Sequence, residues 1–160
     1  MEKLVIICLD DQREVLNTLT QNLEEFEEKV EIEECESADE AWEVLEEVDS
    51  AGDFACLIIS DHVMPGKNGV EFLTEVKDDG RFGNSRKILL TGLATHKDTI
   101  NAINQAEIDM YLEKPWDKKE LIATVKTLIT KFILKQGVEY EKYMSILDQE
   151  TLYEDLKNMT

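Results

Sequence analysis

Five side chains in this sequence have the types that phosphoryl or metal chemistry needs. Each stands where an apolar run stops. Asp10 and Asp11 follow Leu4-Val5-Ile6-Ile7-Cys8-Leu9, and Asp61 follows Phe54-Ala55-Cys56-Leu57-Ile58-Ile59 after one serine. Thr91 follows Ile88-Leu89-Leu90, and Lys114-Pro115 comes soon after Ile108-Asp109-Met110-Tyr111-Leu112. Three converging carboxylates repel one another and raise each other's pKa. A hard divalent ion resolves that conflict. Magnesium (or manganese) takes oxygen ligands, so one or two carboxylates, a main-chain carbonyl and retained water suffice. The same ion neutralises a transferring phosphoryl group. Lys114 adds a mobile point charge suited to a phosphoryl oxygen or to Asp61 itself. Thr91 offers a hydroxyl donor. A carboxylate held among such groups can act as a nucleophile and form an acyl phosphate. The loop after the first run, Asp10-Asp11-Gln12-Arg13-Glu14, is acidic. It suits a cation better than the bare phosphate that a Gly-rich or Ser/Thr-rich nucleotide loop cradles.

The elements that must position these residues alternate along the chain. The first and third runs are continuous, as in strands buried on both faces, and Ile88-Leu89-Leu90 is similar. Val30-Glu31-Ile32-Glu33 alternates, which predicts an edge strand with one wet face. Val15, Leu16, Leu19, Leu23 and Phe26 recur at helical spacing. Ser37 with Glu40 reads as a capping box ahead of Ala41, Val44, Leu45 and Val48. Val70, Leu73 and Val76 predict a third helix after Gly69, and Ile100 with Ile103 a fourth. Asp117 and Glu120 read as a cap pair before a fifth helix with Leu121, Val125, Leu128, Ile129 and Phe132. Five strands alternating with five helices predict an α/β domain, a parallel sheet covered on both faces. In such a sheet ligands bind beyond the carboxyl ends of the strands, where all five candidate residues fall.

Composition narrows the function further. The chain has 160 residues, 42% of them hydrophobic, and a net charge of −19. That charge repels a phosphate backbone, so direct nucleic-acid binding is not expected. No stretch is apolar enough to span a bilayer. Met1-Glu2-Lys3-Leu4 leads straight into a strand-like run without a small-residue cleavage site, which argues against a secretory leader. Cys8, Cys35 and Cys56 are an odd set, two of them inside apolar runs, and read as reduced core thiols of a cytoplasmic protein. The charge is uneven. Glu24 to Asp53 holds fifteen acids against Lys29, whereas Lys97 to Lys126 is near balance. The acidic flank reads first as a solvated surface.

Four pieces together resemble the receiver domains of bacterial two-component response regulators, over residues 1–132. They are Cys8-Leu9-Asp10-Asp11, Ser60-Asp61-His62-Val63-Met64-Pro65-Gly66-Lys67-Asn68-Gly69, Leu90-Thr91-Gly92 and Tyr111-Leu112-Glu113-Lys114-Pro115. The resemblance implies a flavodoxin-like, doubly wound five-stranded parallel sheet in the order 2-1-3-4-5. It implies that Asp61 is the phosphoacceptor. Asp11 would contact Mg2+ directly, Asp10 largely through water, and the Val63 main-chain carbonyl would complete the protein's share. Thr91 and Lys114 would hold the phosphoryl group, and the Lys114–Pro115 bond would be cis. Thr91 and Tyr111 would form the switch that remodels the face built from the fourth helix, fifth strand and fifth helix. The implied partners are a sensor histidine kinase or phosphotransfer protein on the input side and a downstream protein or output domain on that face. The chain would be no enzyme beyond its own phosphotransfer and dephosphorylation.

Val63 and Leu93 are apolar where family members flank the path of the hydrolytic water, so the resemblance implies a slow loss of phosphoryl group. His62 and His96 read as ordinary surface histidines, Trp42 as packing on the second helix and Trp116 as packing near the fifth. Tyr111 also fits an ordinary half-buried strand aromatic. Two other functions compete: a phosphorylation-independent adaptor, and a phosphohydrolase. The complete acidic set speaks against the first. The second needs a carboxylate two residues after Asp61, where Val63 stands. Residues 133–160 form a predicted helical extension, with Gly137 ending the fifth helix. Tyr140, Tyr143, Met144 and Leu147 make one apolar stripe, and Leu152, Leu156 and Met159 another. This tail either packs back, mediates a homodimer or begins a linker to an output domain.

Overall fold

A computed structural model describes residues 2–93 and 96–159 of the chain; Met1, Ala94, Thr95 and Thr160 lie outside the described residues. The strands are β1 (Leu4–Leu9), β2 (Glu31–Cys35), β3 (Phe54–Asp61), β4 (Arg86–Thr91) and β5 (Met110–Glu113). They form one parallel sheet in the order β2-β1-β3-β4-β5. The helices are α1 (Arg13–Asn22), α2 (Ala38–Ser50), α3 (Gly69–Asp78), α4 (Lys97–Gln105), α5 (Lys118–Gln136) and α6 (Gln149–Asn158).

Strand periodicity divides the core in two. Leu4, Ile6 and Cys8 of β1 face a layer that contains Leu16, Leu19, Leu121, Val125 and Ile129 of α1 and α5. Val5, Ile7 and Leu9 face Ala41, Leu45, Phe72, Leu73 and Ile103 of α2, α3 and α4. Each central strand thus buries both faces, which is why its sequence is a continuous apolar run. The three cysteines are buried and free, and burial pushes the Cys35 and Cys56 thiols up to about 12. Trp42 packs edge-on against Phe72, with Nε1 donating to Glu75 Oε1 at 3.0 Å.

Strand β2 forms one edge of the sheet and carries Glu31, Glu33 and Glu34. Arg13 on α1 pairs with Glu34 at 3.4 Å and with Glu36 at 2.5 Å.

Local boundaries differ from the sequence pattern in four places. Ser37 caps α2 by accepting from Glu40 N, but the Glu40 carboxylate accepts from Glu36 N, one residue earlier than a capping box requires. Asp117 caps α5 through Lys119 N and not through Glu120. A complete capping box stands instead at Asn68 and Glu71, ahead of α3. Strand β5 begins at Met110 and not at Ile108. Ile108 N donates to Ile103 O after Glu107 adopts a φ of 54°, so Ile108 closes α4.

The tail departs most. Helix α5 runs through residue 132 to Gln136 and ends on Gly137, whose φ of 83° is the left-handed cap that glycine adopts without penalty. The Tyr140–Leu147 stripe forms a 3-10 turn (Glu141–Ile146), not an α-helix. With three residues per turn, Tyr143 and Ile146 share one face, and both are buried with Leu147 while Met144 is exposed. Leu152 of α6 is buried in the same layer, with Leu156 partly so. The Thr130 hydroxyl of α5 accepts from Asp148 N at 2.9 Å, just where Asp148 caps α6. Residues 138–156 therefore return to the layer between α5 and β1.

Candidate functional site

The carboxyl ends of β1, β3, β4 and β5 lie side by side because neighbouring strands keep register there. Leu9 pairs with Ser60, Asp61 with Leu90, and Thr91 with Glu113. The residue after β1 is Asp10, fully buried, whose Oδ1 accepts from Gln12 N at 2.9 Å. Asp11 lies nearer solvent. Carboxylate oxygens of Asp10, Asp11 and Asp61 all lie within 4.8 Å of one another.

Asp61 is 5% exposed, and its Oδ1 accepts from His62 N at 2.9 Å and from Lys114 Nζ at 2.9 Å. Lys114 Nζ also reaches Asp10 Oδ2 at 3.3 Å. The Lys114–Pro115 bond is cis. Burial pushes the Asp61 carboxyl above its ordinary range. The Lys114 hydrogen bond works against that rise and the Asp10 charge adds to it. Burial alone lowers Lys114, but the bond and charge of Asp61, with help from Asp10, outweigh it and hold the ammonium above its usual pKa. Among the described residues the site is thus short of positive charge: the Lys114 ammonium pairs with Asp10 and Asp61, and Asp11 adds a third carboxylate to the cluster. That imbalance, in an all-oxygen donor set, fits a hard divalent cation. It does not fit a soft metal, which calls for thiolate or imidazole.

The loop after β3 is shaped by glycine. A Cβ on Gly69 would stand 1.9 Å from the main-chain oxygen of Asp61, so no other residue fits there. Gly69 N also donates to His62 O at 2.8 Å, which ties the start of α3 to the end of β3. Gly66 has a φ of 77° and open space around it, so its requirement is purely conformational. The Val63 side chain is 66% exposed at the mouth.

Thr91 is fully buried at the end of β4. Its Oγ1 accepts from Leu93 N at 2.9 Å and lies 2.7 Å from Nδ1 of His62. It bonds to neither Asp61 nor Lys114. This link to His62 was not legible in the sequence, where the histidine reads as a surface residue. Burial lowers the pKa of the His62 ring and favours its neutral form. Tyr111, on β5, is 40% exposed, and Ile100 of α4 and Met110 of β5 are exposed as well. Trp116 Nε1 donates to Asn22 Oδ1 at 2.9 Å and pins the loop after β5 to α1. His96 precedes α4 without capping it by its side chain.

Comparison with known proteins identifies the family of this fold. A family profile described as the response regulator receiver domain matches residues 6–126. Response regulator Rre1 of Synechocystis sp. is 30% identical over 131 residues, which cover 81% of this chain and 53% of that protein. The hydrogenase transcriptional regulatory protein HoxA of Cupriavidus necator is 30% identical over 146 residues, covering 91% of this chain and 27% of its own length. The chain thus spans about half or less of these curated relatives. Among solved structures, the signal receiver domain of an HD domain-containing protein from Pseudomonas fluorescens Pf-5 superposes with a TM-score of 0.72. It is 26% identical and covers 86% of this chain and 94% of that one. Chemotaxis response regulator CheY4 of Vibrio cholerae shares the fold, with a TM-score of 0.64, 20% identity, and coverage of 79% of this chain and 98% of that one. The chain belongs to the response regulator receiver domain family, the signalling modules of two-component systems.

Proposed function

We propose that Asp61 accepts a phosphoryl group from a partner histidine kinase or phosphotransfer protein and that the chain signals by protein contact. The observation that carries this reading is the placement of Asp61: buried, 2.9 Å from Lys114, and within 4.8 Å of the Asp10 and Asp11 carboxylates. Asp10, Asp11, Asp61 and the Val63 main-chain carbonyl would hold Mg2+ or Mn2+, which when bound supplies charge neutralisation for the phosphoryl oxygens. Both donors to Asp61 go to Oδ1; among the described residues none donates to Oδ2. Oδ2 is therefore the oxygen free to attack. The Oδ2–phosphorus bond forms as the bond from phosphorus to the donor's leaving atom breaks, and the leaving group departs with the bonding pair. Lys114 then turns from the carboxylate to a phosphoryl oxygen, and Thr91 donates to another.

The readout follows from Thr91 and Tyr111. A phosphoryl group that binds one of two packings better shifts the population towards it. Exposed Ile100, Met110 and Tyr111 give the α4-β5-α5 face apolar area for a downstream protein or output domain. On the input side, an open groove of about 580 Å³ beside Lys114, lined by Val15, Thr18, Pro115 and Trp116, offers the phosphodonor protein a largely apolar approach. We assign residues 1–132 to the receiver and 133–160 to its helical extension. Incubation with magnesium and acetyl phosphate, followed by intact mass measurement, tests the proposal. The expected product is one acid-stable, base-labile phosphoryl adduct that is missing in Asp61→Asn. No adduct on the parent chain would favour the phosphorylation-independent adaptor.

A further inference from the structure

The Thr91 hydroxyl has one proton to give. In the proposed phosphorylated state, on which this inference rests, that proton goes to a phosphoryl oxygen. Leu93 N donates into Oγ1 at 2.9 Å, and Oγ1 lies 2.7 Å from Nδ1 of His62, which accepts the hydroxyl proton in the tautomer that carries its own proton on Nε2. The two residues meet because Asp61 pairs with Leu90 across β3 and β4, so the residue after each stands at the same level of the sheet. His62 is held there by its own main chain, since N–H donates to Leu90 O and C=O accepts from Gly69 N. The ring is half-buried and Thr91 fully buried, so water does not readily replace either partner.

We infer that His62 is a positioning residue that latches Thr91 away from the phosphoryl site, and so sets the free-energy gap between the resting and switched states. Switching breaks two hydrogen bonds of the Thr91 hydroxyl together, that with His62 Nδ1 and that from the Leu93 N–H. A ligand for the switched state must overcome this latch, and its apparent affinity falls by the fraction of chains already released. The latch requires Nδ1 as the acceptor, the tautomer that carries its proton on Nε2. Asparagine places an acceptor oxygen at the position of Nδ1, whereas leucine fills similar space without one.

The test is the affinity of the full chain for beryllofluoride, a phosphoryl mimic, in the presence of magnesium. His62→Leu is expected to tighten binding by roughly two- to tenfold, the worth of one net hydrogen bond. His62→Asn restores the parent affinity. In a Thr91→Ala background, His62→Leu changes nothing, because the hydroxyl it restrained is gone. A structural effect of the leucine would persist in that background and would overturn the inference, as would an unchanged affinity in His62→Leu. A second readout needs no mimic. Nitrogen-15 NMR of the resting chain is expected to show Nδ1 unprotonated and its shift altered in Thr91→Ala; a protonated Nδ1 overturns the latch. A parent chain that binds no beryllofluoride sinks the phosphoacceptor reading itself, an outcome distinct from failure of the latch alone.

Discussion

Lys114 Nζ lies 2.9 Å from Oδ1 of Asp61, although 53 residues separate the two along the chain. The ammonium stands in for part of the charge that a bound cation brings. Lys114→Met leaves Asp10 and Asp61 side by side and uncompensated. It is expected to destabilise the cation-free chain by roughly 1–3 kcal/mol, the usual consequence of leaving a buried polar partner unpaired. Magnesium should then stabilise Lys114→Met more than it stabilises the parent. Urea melts with and without magnesium read both effects; equal stabilisation of the two proteins would refute the prediction.

The pKa of Asp61 makes a prediction of opposite sign. Burial raises it in the folded chain, so the folded state holds the proton more tightly than the unfolded state does. The penalty for a charged Asp61 is therefore absent below the unfolded pKa of about 3.9, and it is complete above the raised folded value. Asp61→Asn should be more stable than the parent near neutral pH without divalent cations, and the gap should close on acidification. Melts from about pH 4 to about pH 8 check this. A gap that widened towards low pH would contradict it.

Gly69 and Gly66 separate two uses of glycine. Gly69→Ala drives a Cβ into the main-chain oxygen of Asp61 and is expected to lose about 3 kcal/mol or more, and with it phosphorylation. Gly66→Ala pays only for a left-handed backbone, roughly 1–2 kcal/mol, and should retain the adduct. Denaturation midpoints with intact mass after acetyl phosphate distinguish the two.

Phosphoryl lifetime should be long. Val63 is exposed at the mouth and Leu93 opens the loop after β4, and neither side chain can orient water. Making both polar, as Val63→Asn with Leu93→Gln, is expected to shorten the half-life of the adduct several-fold after donor removal. A half-life that is short in the parent and unmoved by the pair would count against this.

The tail is part of the core. Leu147 is 4% exposed among residues of β1, α5 and α6, so Leu147→Ala should cost roughly 2–5 kcal/mol, as for other buried leucines. An exposed neighbour, Met144→Ala, serves as the control and should change little. Similar midpoints for the two variants would show that the tail's packing contributes no stability.

Much of this was legible in the residues. Runs such as Cys56-Leu57-Ile58-Ile59 are apolar because they are buried on both sides, and that burial dictates where a parallel strand ends and where Asp61 must stand. What escaped depends on register and handedness. The His62–Thr91 bond exists because Asp61 sits opposite Leu90, a cross-strand alignment that neither segment encodes alone. The stripe Tyr143-Met144-Leu147 fits an α-helix by spacing, yet Tyr143 and Ile146 satisfy a 3-10 turn equally well, and packing against α5 decides. Ile108 looks like strand because it is β-branched and apolar, but a left-handed Glu107 turns its amide back to close α4.

The glutamates of β2 have a consequence beyond this molecule. A sheet edge displays unpaired amides and carbonyls, a template on which another chain can add itself. Glu31, Glu33 and Glu34 surround that template with negative charge, and two copies brought edge to edge would set like charges against each other. Burial, then the charge of Glu31 beside it, pushes the Glu33 carboxyl up, so this guard begins to neutralise early in any acidification. Mild acid is therefore expected to weaken the like-charge repulsion at this edge, and light scattering along a falling pH series checks whether copies then begin to associate.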